Sequence, residues 1–146
     1  MKKQKGFTLI ELLVVIAIIA ILSTVVMAGL NSARMKGRDA KRLSDIKQLQ
    51  AALELCFDDS ATGYPGTSGT AYTCTAGATC AAISPLACGT TNTMATYMNP
   101  MPTPPTPGAN YVYTPAGTTY AITFTLEGPS GSLPLGLRTA TPSGIR

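Results

Sequence analysis

The sequence predicts an α+β fold, a long N-terminal helix packed on a small antiparallel sheet, from three features of its 146 residues. An apolar run from Phe7 to Leu30 is broken by a single charge, Glu11; an amphipathic stretch follows with no proline before Pro65; and two segments within residues 110–127 alternate side chains with a period of two. Charge is divided as sharply. Six of the seven acidic residues and nine of the eleven basic ones lie between Lys2 and Asp59, whereas Ser60 through Leu126 carry none, so a neutral head accompanies a charged and apolar helix.

The helix comes first. Residues 1–6 are polar and basic, and Leu12 to Leu30 is 19 residues without a charge. At about 1.5 Å per residue that run spans about 28 Å, the hydrocarbon thickness of a bilayer. Beyond Asn31 the pattern turns amphipathic: Leu43, Ile46, Leu49, Leu53 and Phe57 recur at spacings of three and four and share one stripe. Asp39, Lys41, Arg42, Asp45 and Lys47 are assigned to the other faces, with Lys41–Asp45 as an i,i+4 pair. One helix from about Phe7 to Phe57 is therefore expected. Gly29 and Gly37 are its weak points, each costing about 1 kcal/mol relative to Ala. The helix should stop near Asp58-Asp59-Ser60, ahead of Gly63, Pro65, Gly66 and Gly69.

The expected organisation is thus a basic leader at 1–6, an apolar half-helix at 7–30, an amphipathic half at 31–58 and a cysteine-bearing head at 59–146. Within the head, residues 60–92 read as loop, Thr93 to Met98 as a helical turn, and Asn99 to Pro107 as too rich in proline for helix or central strand. Asn110 to Thr114 and Thr119 to Leu126 read as a hairpin whose turn is Pro115-Ala116-Gly117. One short edge strand is expected near Leu133 to Leu137.

Composition excludes several function classes. There is no His, the side chain that most readily exchanges protons near neutral pH and the commonest metal ligand. Gly128-Pro129-Ser130-Gly131 lacks the spacing of a nucleophile elbow, and no base stands ready for Ser130. Neither enzyme activity, nor a cofactor, nor a metal site is assigned; Asp58 and Asp59 alone do not make one. Cys56, Cys74, Cys80 and Cys88 match no common zinc spacing and read as disulfides of an exported head, with three connectivities open. The formal charge of +4 falls to +1 without Lys2, Lys3 and Lys5, which removes an overall electrostatic reason to bind nucleic acid. The cluster Arg34, Lys36, Arg38, Lys41 and Arg42 reads as a solvated helix face, lacking the interleaved aromatics of a single-strand groove.

Lys5-Gly6-Phe7-Thr8-Leu9-Ile10-Glu11-Leu12, followed by the apolar run, resembles the processing site of type IV pilins and type II secretion pseudopilins. The resemblance covers residues 1 to about 30 strongly and continues to the Tyr64-Pro65 step after the helix. It implies cleavage between Gly6 and Phe7 by a prepilin peptidase, N-methylation of Phe7, and a pilin-like fold. It further implies insertion in the inner membrane with a cytoplasmic N-terminus, and assembly by an inner-membrane platform with other copies and minor pilins into a surface or periplasm-spanning filament. The family often has proline where Ala28 stands. Its major pseudopilins bind calcium through C-terminal acidic residues, and with Glu127 the only one there that site is not carried over.

Glu11 is the anomaly. A carboxylate at the middle of a spanning helix costs roughly 3 kcal/mol, and less near an end. A free amine at Phe7 could compensate it, from its own chain one turn away or from a neighbour, and the resemblance implies the neighbour. Two rival functions are weighed: a minor pilin with a DNA-uptake or adhesive role, and a soluble protein cut after Ala28 by signal peptidase. The long apolar run and Glu11 oppose the second. Basic residues after the span outnumber the leader lysines, so positive-inside counting alone favours the opposite topology; the motif and the disulfide-compatible head decide the orientation.

Overall fold

The computed structural model describes residues 6–60 and 62–146. The leader residues Lys2, Lys3 and Lys5 lie outside them. The chain forms two compact units, Met1–Met35 and Lys36–Arg146, and helix α1 (Leu9–Asp59) contains the division.

In the first unit the described apolar side chains of α1 between Leu9, 82% exposed, and Leu30, 42% exposed, all lie open. This window of α1 is long and apolar enough to cross a membrane, as its composition requires. Ser23 and Thr24 donate their hydroxyls to the carbonyls of Ile19 and Ile21, both at 2.7 Å, so neither polar group is left unpaired.

In the second unit α1 buries the predicted stripe: Ile46, Leu49 and Leu53 are at most 1% exposed, with Ala52 and Cys56 beside them and Leu43 and Phe57 partly buried. The sheet has the order β1 (Tyr72–Cys74), β4 (Tyr111–Ala116), β5 (Thr119–Leu126), β6 (Gly136–Thr141), β7 (Gly144–Ile145), antiparallel throughout. A second, two-stranded sheet pairs β2 (Ala87–Cys88) with β3 (Asn92–Thr93), which leads into the short helix α2 (Met94–Tyr97). The period-two residues Tyr111, Tyr113, Tyr120, Ile122, Phe124 and Leu126 join the core of α1 in one cluster. Burying each such side chain contributes about 1.5–3 kcal/mol.

Several expectations shift. The hairpin turn is Gly117-Thr118, with Gly117 at φ +67°, while Pro115 and Ala116 remain in β4 opposite Tyr120 and Thr119. Proline is tolerated there because the β1 ladder ends at Tyr113, so no strand partner needs an N–H from Pro115, whose carbonyl accepts from Gly69 at 2.8 Å. The strand expected near Leu133–Leu137 is β6, which starts at Gly136 and turns back as β7. Residues 60–92, read as loop, contribute β1 and β2. Gly63 is where the chain crosses the hairpin closely: a Cβ would stand 2.5 Å from the Gly117 carbonyl oxygen, to which the Tyr64 N–H donates at 2.9 Å. Tyr64 then packs between Phe57 and Tyr120, with ring centroids 4.7 and 4.6 Å away, and donates to Glu54.

The largest correction concerns charge. Asp39 and Arg42, assigned to solvated faces, are 2% and 0% exposed. Arg42 donates Nη1 to Asp39 Oδ1 at 2.6 Å, and Nη2 to Glu127 Oε1 at 2.5 Å and to the Pro107 carbonyl at 2.7 Å. Arg38 completes the clasp on Glu127. Asp39 in turn accepts the N–H groups of Glu127 and Gly128 at 2.8–3.1 Å. The expected Lys41–Asp45 pair is replaced: Lys41 Nζ donates to the Thr103 carbonyl at 2.7 Å, and Asp45 accepts from Tyr111 at 3.0 Å. With Arg38, Lys41 and Arg42 so engaged, the basic cluster is dismantled as a patch, and Arg34 and Lys36 stay exposed.

The clasp has a pH consequence. The Arg38 and Arg42 guanidinium groups hold the Glu127 carboxyl down to about 2, against an ordinary value of 4.5. A depressed folded value means stability that is present above about 4.5 and is lost as pH falls towards 2. Asp59, lowered by its bonds from Tyr97 and Asn92, acts in the same direction. Asp45, raised by burial, acts in the opposite one. The urea midpoint of the head should therefore drop between pH 4.5 and 2, and Glu127→Gln should lower it at pH 7 while flattening that slope.

Cys56 pairs with Cys88 and Cys74 with Cys80, at Cα separations of 4.9 and 4.4 Å. The first bridge ties the end of α1 to the β2–β3 hairpin, where Tyr97 and Asn92 also donate to Asp59. Their sequence separations of 32 and 6 residues differ. Chain entropy then gives about 4 kcal/mol for the Cys56–Cys88 bridge and about 2 kcal/mol for Cys74–Cys80. Replacing each pair by serine and measuring urea unfolding should reproduce that order.

Candidate functional site

The site is the start of α1. Gly6 and Phe7 precede the helix and are exposed, Phe7 at 86%. A Cβ on Gly6 would meet nothing within 4 Å, so packing within this chain does not demand glycine there.

Thr8 caps the helix. Its N–H and its hydroxyl donate to Glu11 Oε2 at 2.8 and 2.7 Å, and the Glu11 N–H points back to Thr8 Oγ1 at 3.4 Å. This is the reciprocal capping box of a Thr-x-x-Glu start, which satisfies amides that the first turn would otherwise leave bare. Thr8-Leu9-Ile10-Glu11 before an apolar run is the sequence signal for this cap. Glu11 Oε1 accepts no hydrogen bond among the described residues, so one carboxylate oxygen remains available to a further cation. Phe7 is adjacent to Thr8, and an amine freed at Phe7 would arise beside this carboxylate.

The small residues Ala17, Ala20, Ser23 and Gly29 all lie on α1, and a Cβ at Gly29 would likewise meet nothing within 4 Å. The alternative cut after Ala28 would fall in mid-helix; the Ala28 side chain lies outside the described residues. The four cysteines belong to the head's two bridges and take no part in this site.

Residues 1–27 match the family described as "Prokaryotic N-terminal methylation motif". The chain is similar to "Type II secretion system core protein G" of Escherichia coli (strain K12), 43% identical over 36% of this chain and 37% of that protein. It is also similar to the same-named protein of Vibrio cholerae, 39% identical over 46% of this chain and 45% of that one. A "Probable minor fimbrial protein" of Dichelobacter nodosus is 36% identical over 42% of this chain and 39% of its own length. The chain thus spans less than half the length of the curated relatives it matches. No solved structure matches.

Proposed function

We propose that the chain is a filament subunit of the type IV pilin and type II secretion pseudopilin kind, to which its N-terminal motif is similar, cut between Gly6 and Phe7 by prepilin peptidase and methylated on Phe7. The observation that carries this is the junction itself: an exposed Gly6-Phe7 step, a carboxylate four residues on, and an apolar run whose described side chains lie exposed.

Before assembly α1 anchors the subunit in the inner membrane, N-terminus in the cytoplasm; afterwards the same apolar surface packs against other copies and minor pilins. Lipid contacts are exchanged for helix packing, which the small residues along α1 permit at close range. Glu11 selects the register. Its Oε2 stays on Thr8 while Oε1 receives the methylated Phe7 ammonium of a neighbouring subunit, an ion pair formed away from water and therefore stronger than one at a surface. The proposal covers a type IV pilus and a secretion pseudopilus alike.

Intact mass from native membranes tests it. The expected chain lacks residues 1–6 and carries one methyl group. A product beginning at Gly29 would establish the signal-peptide rival, and an untrimmed chain would remove the processing step.

A further inference from the structure

The acidic side chains of the Lys36–Arg146 unit are taken up within the chain with one exception. Asp39 accepts from Arg42 and from the Glu127 and Gly128 N–H groups, Asp45 from Tyr111, Glu54 from Tyr64, Asp59 from Tyr97 and Asn92, and Glu127 from Arg38 and Arg42. Asp58 is exposed and, among the described residues, joins no ion pair and accepts no hydrogen bond. Three residues back, and so on the same side of α1, Leu55 is 53% exposed. The end of α1 thus presents a leucine beside an unmatched carboxylate.

A matching surface lies on the same unit. Arg38 and Arg42 are clasped on Glu127, and Lys41 donates to the Thr103 carbonyl, whereas Lys36 and Lys47 stay exposed on α1 without an ion pair among the described residues. The neighbours of Lys47 three and four residues away, Leu43, Ser44, Gln50 and Ala51, carry no charge. Lys47 stands at a groove of about 420 Å³ to which Leu43, Leu133 and Ile145, each partly buried, give apolar walls. The groove has room for a leucine side chain and carries the cation that a carboxylate beside that leucine requires.

Charge selects the occupant. The other exposed large hydrophobic residues of the unit are Leu135 and Leu137, and the acidic residue nearest them in the chain, Glu127, is already clasped. We propose that the groove receives Leu55 of a second copy of this chain, with that copy's Asp58 paired to Lys47. The contact deepens the reading of the chain as a filament subunit and rests on it. From Ser60 to Leu126 there is no charge, so recognition by charge between copies falls to α1 and to the residues beyond Leu126. Lys47 and Asp58 stand about 16 Å apart along α1, so copies pointing the same way bring them together only when staggered. A staggered pair leaves one groove and one Leu55 open, a heterologous contact that adds copies without closing.

Carbodiimide condenses an ammonium and a carboxylate in contact into an amide, with loss of water, and is applied to filaments sheared from cells producing the full chain. The link cannot form within one copy across that distance, so the expected product is a covalent dimer joined from Lys47 to Asp58, identified by peptide mass. Leu55→Ser should lower the dimer yield about tenfold, while Leu137→Ser, at a side chain at least as exposed, leaves it unchanged. Lys47→Asp and Asp58→Lys should each lower it as far, and the two together should restore it. Filaments in which Asp58 is joined to nothing, to Lys36 or to another protein overturn the contact, as does a charge exchange that restores nothing. A wild-type chain that makes no filaments overturns the subunit reading, and the contact with it.

Discussion

Glu11→Ala is expected to yield a chain that is trimmed after Gly6 at the normal rate and never found in filaments. The proposed cut lies between Gly6 and Phe7, whereas the Glu11 carboxylate bonds the N–H and hydroxyl of Thr8, so processing has no reason to depend on it. On the proposed pairing, assembly does. An uncompensated carboxylate in the membrane is tolerated only where something meets it, and its removal takes away the sole charge between Phe7 and Leu30. The capping box supplies the control that separates charge from helix start. Glutamine can serve in a capping box as glutamate does, so Glu11→Gln keeps the bonds to Thr8 and loses only the charge. Filaments absent in both variants identify the ion pair; filaments restored by Gln would reduce Glu11 to a cap. Thr8→Ala, which removes the hydroxyl bond but keeps the carboxylate, should assemble with a loosened first turn. Electron microscopy of sheared filaments and immunoblots of processed subunit read all three.

Arg42→Ala should destabilise the head by about 3–5 kcal/mol, enough to unfold a domain of ordinary stability. Arg42 has no exposed surface, and without it Asp39 is a buried carboxylate lacking its cation while the Pro107 carbonyl loses its donor. Lysine should not rescue. A single ammonium cannot reproduce two guanidinium nitrogens that reach Asp39 on one side and Glu127 with Pro107 on the other. Gly108→Ala should mimic the loss without touching a charge, because a Cβ there would sit 2.0 Å from Arg42 Nη2. A double-mutant cycle of Arg42→Ala with Glu127→Gln should show coupling of about 0.5–3 kcal/mol. Urea unfolding at pH 7 measures each; additive effects would mean that Arg42 and Glu127 do not act as a unit.

The charged clasp was partly legible. The stripe Ile46, Leu49, Leu53 continued backwards at the same spacing reaches Arg42 and Asp39, and both are buried. Polarity argued the other way, because long charged side chains usually stay in water, and the opposing evidence was the partner Glu127, some 85 residues further along the chain. The Lys41–Asp45 pair failed for the same reason. A local pairing rule predicts the nearest opposite charge, whereas the Thr103 carbonyl and the Tyr111 hydroxyl arrive from distant segments with better geometry. The turn at Gly117-Thr118 was displaced by tertiary pairing that keeps Pro115 in a strand.

By itself the sequence determined the apolar helix, the core stripe beyond it, the alternating hairpin and the Gly6–Glu11 motif. Each rests on neighbours within a few residues, where helical and strand periods and a basic flank are short-range facts. Only the tertiary structure decided which cysteines pair and which charges are buried. Those outcomes depend on which distant groups arrive within hydrogen-bonding or bonding distance, and burial, not residue type, then sets whether a charge stays in water or joins the core.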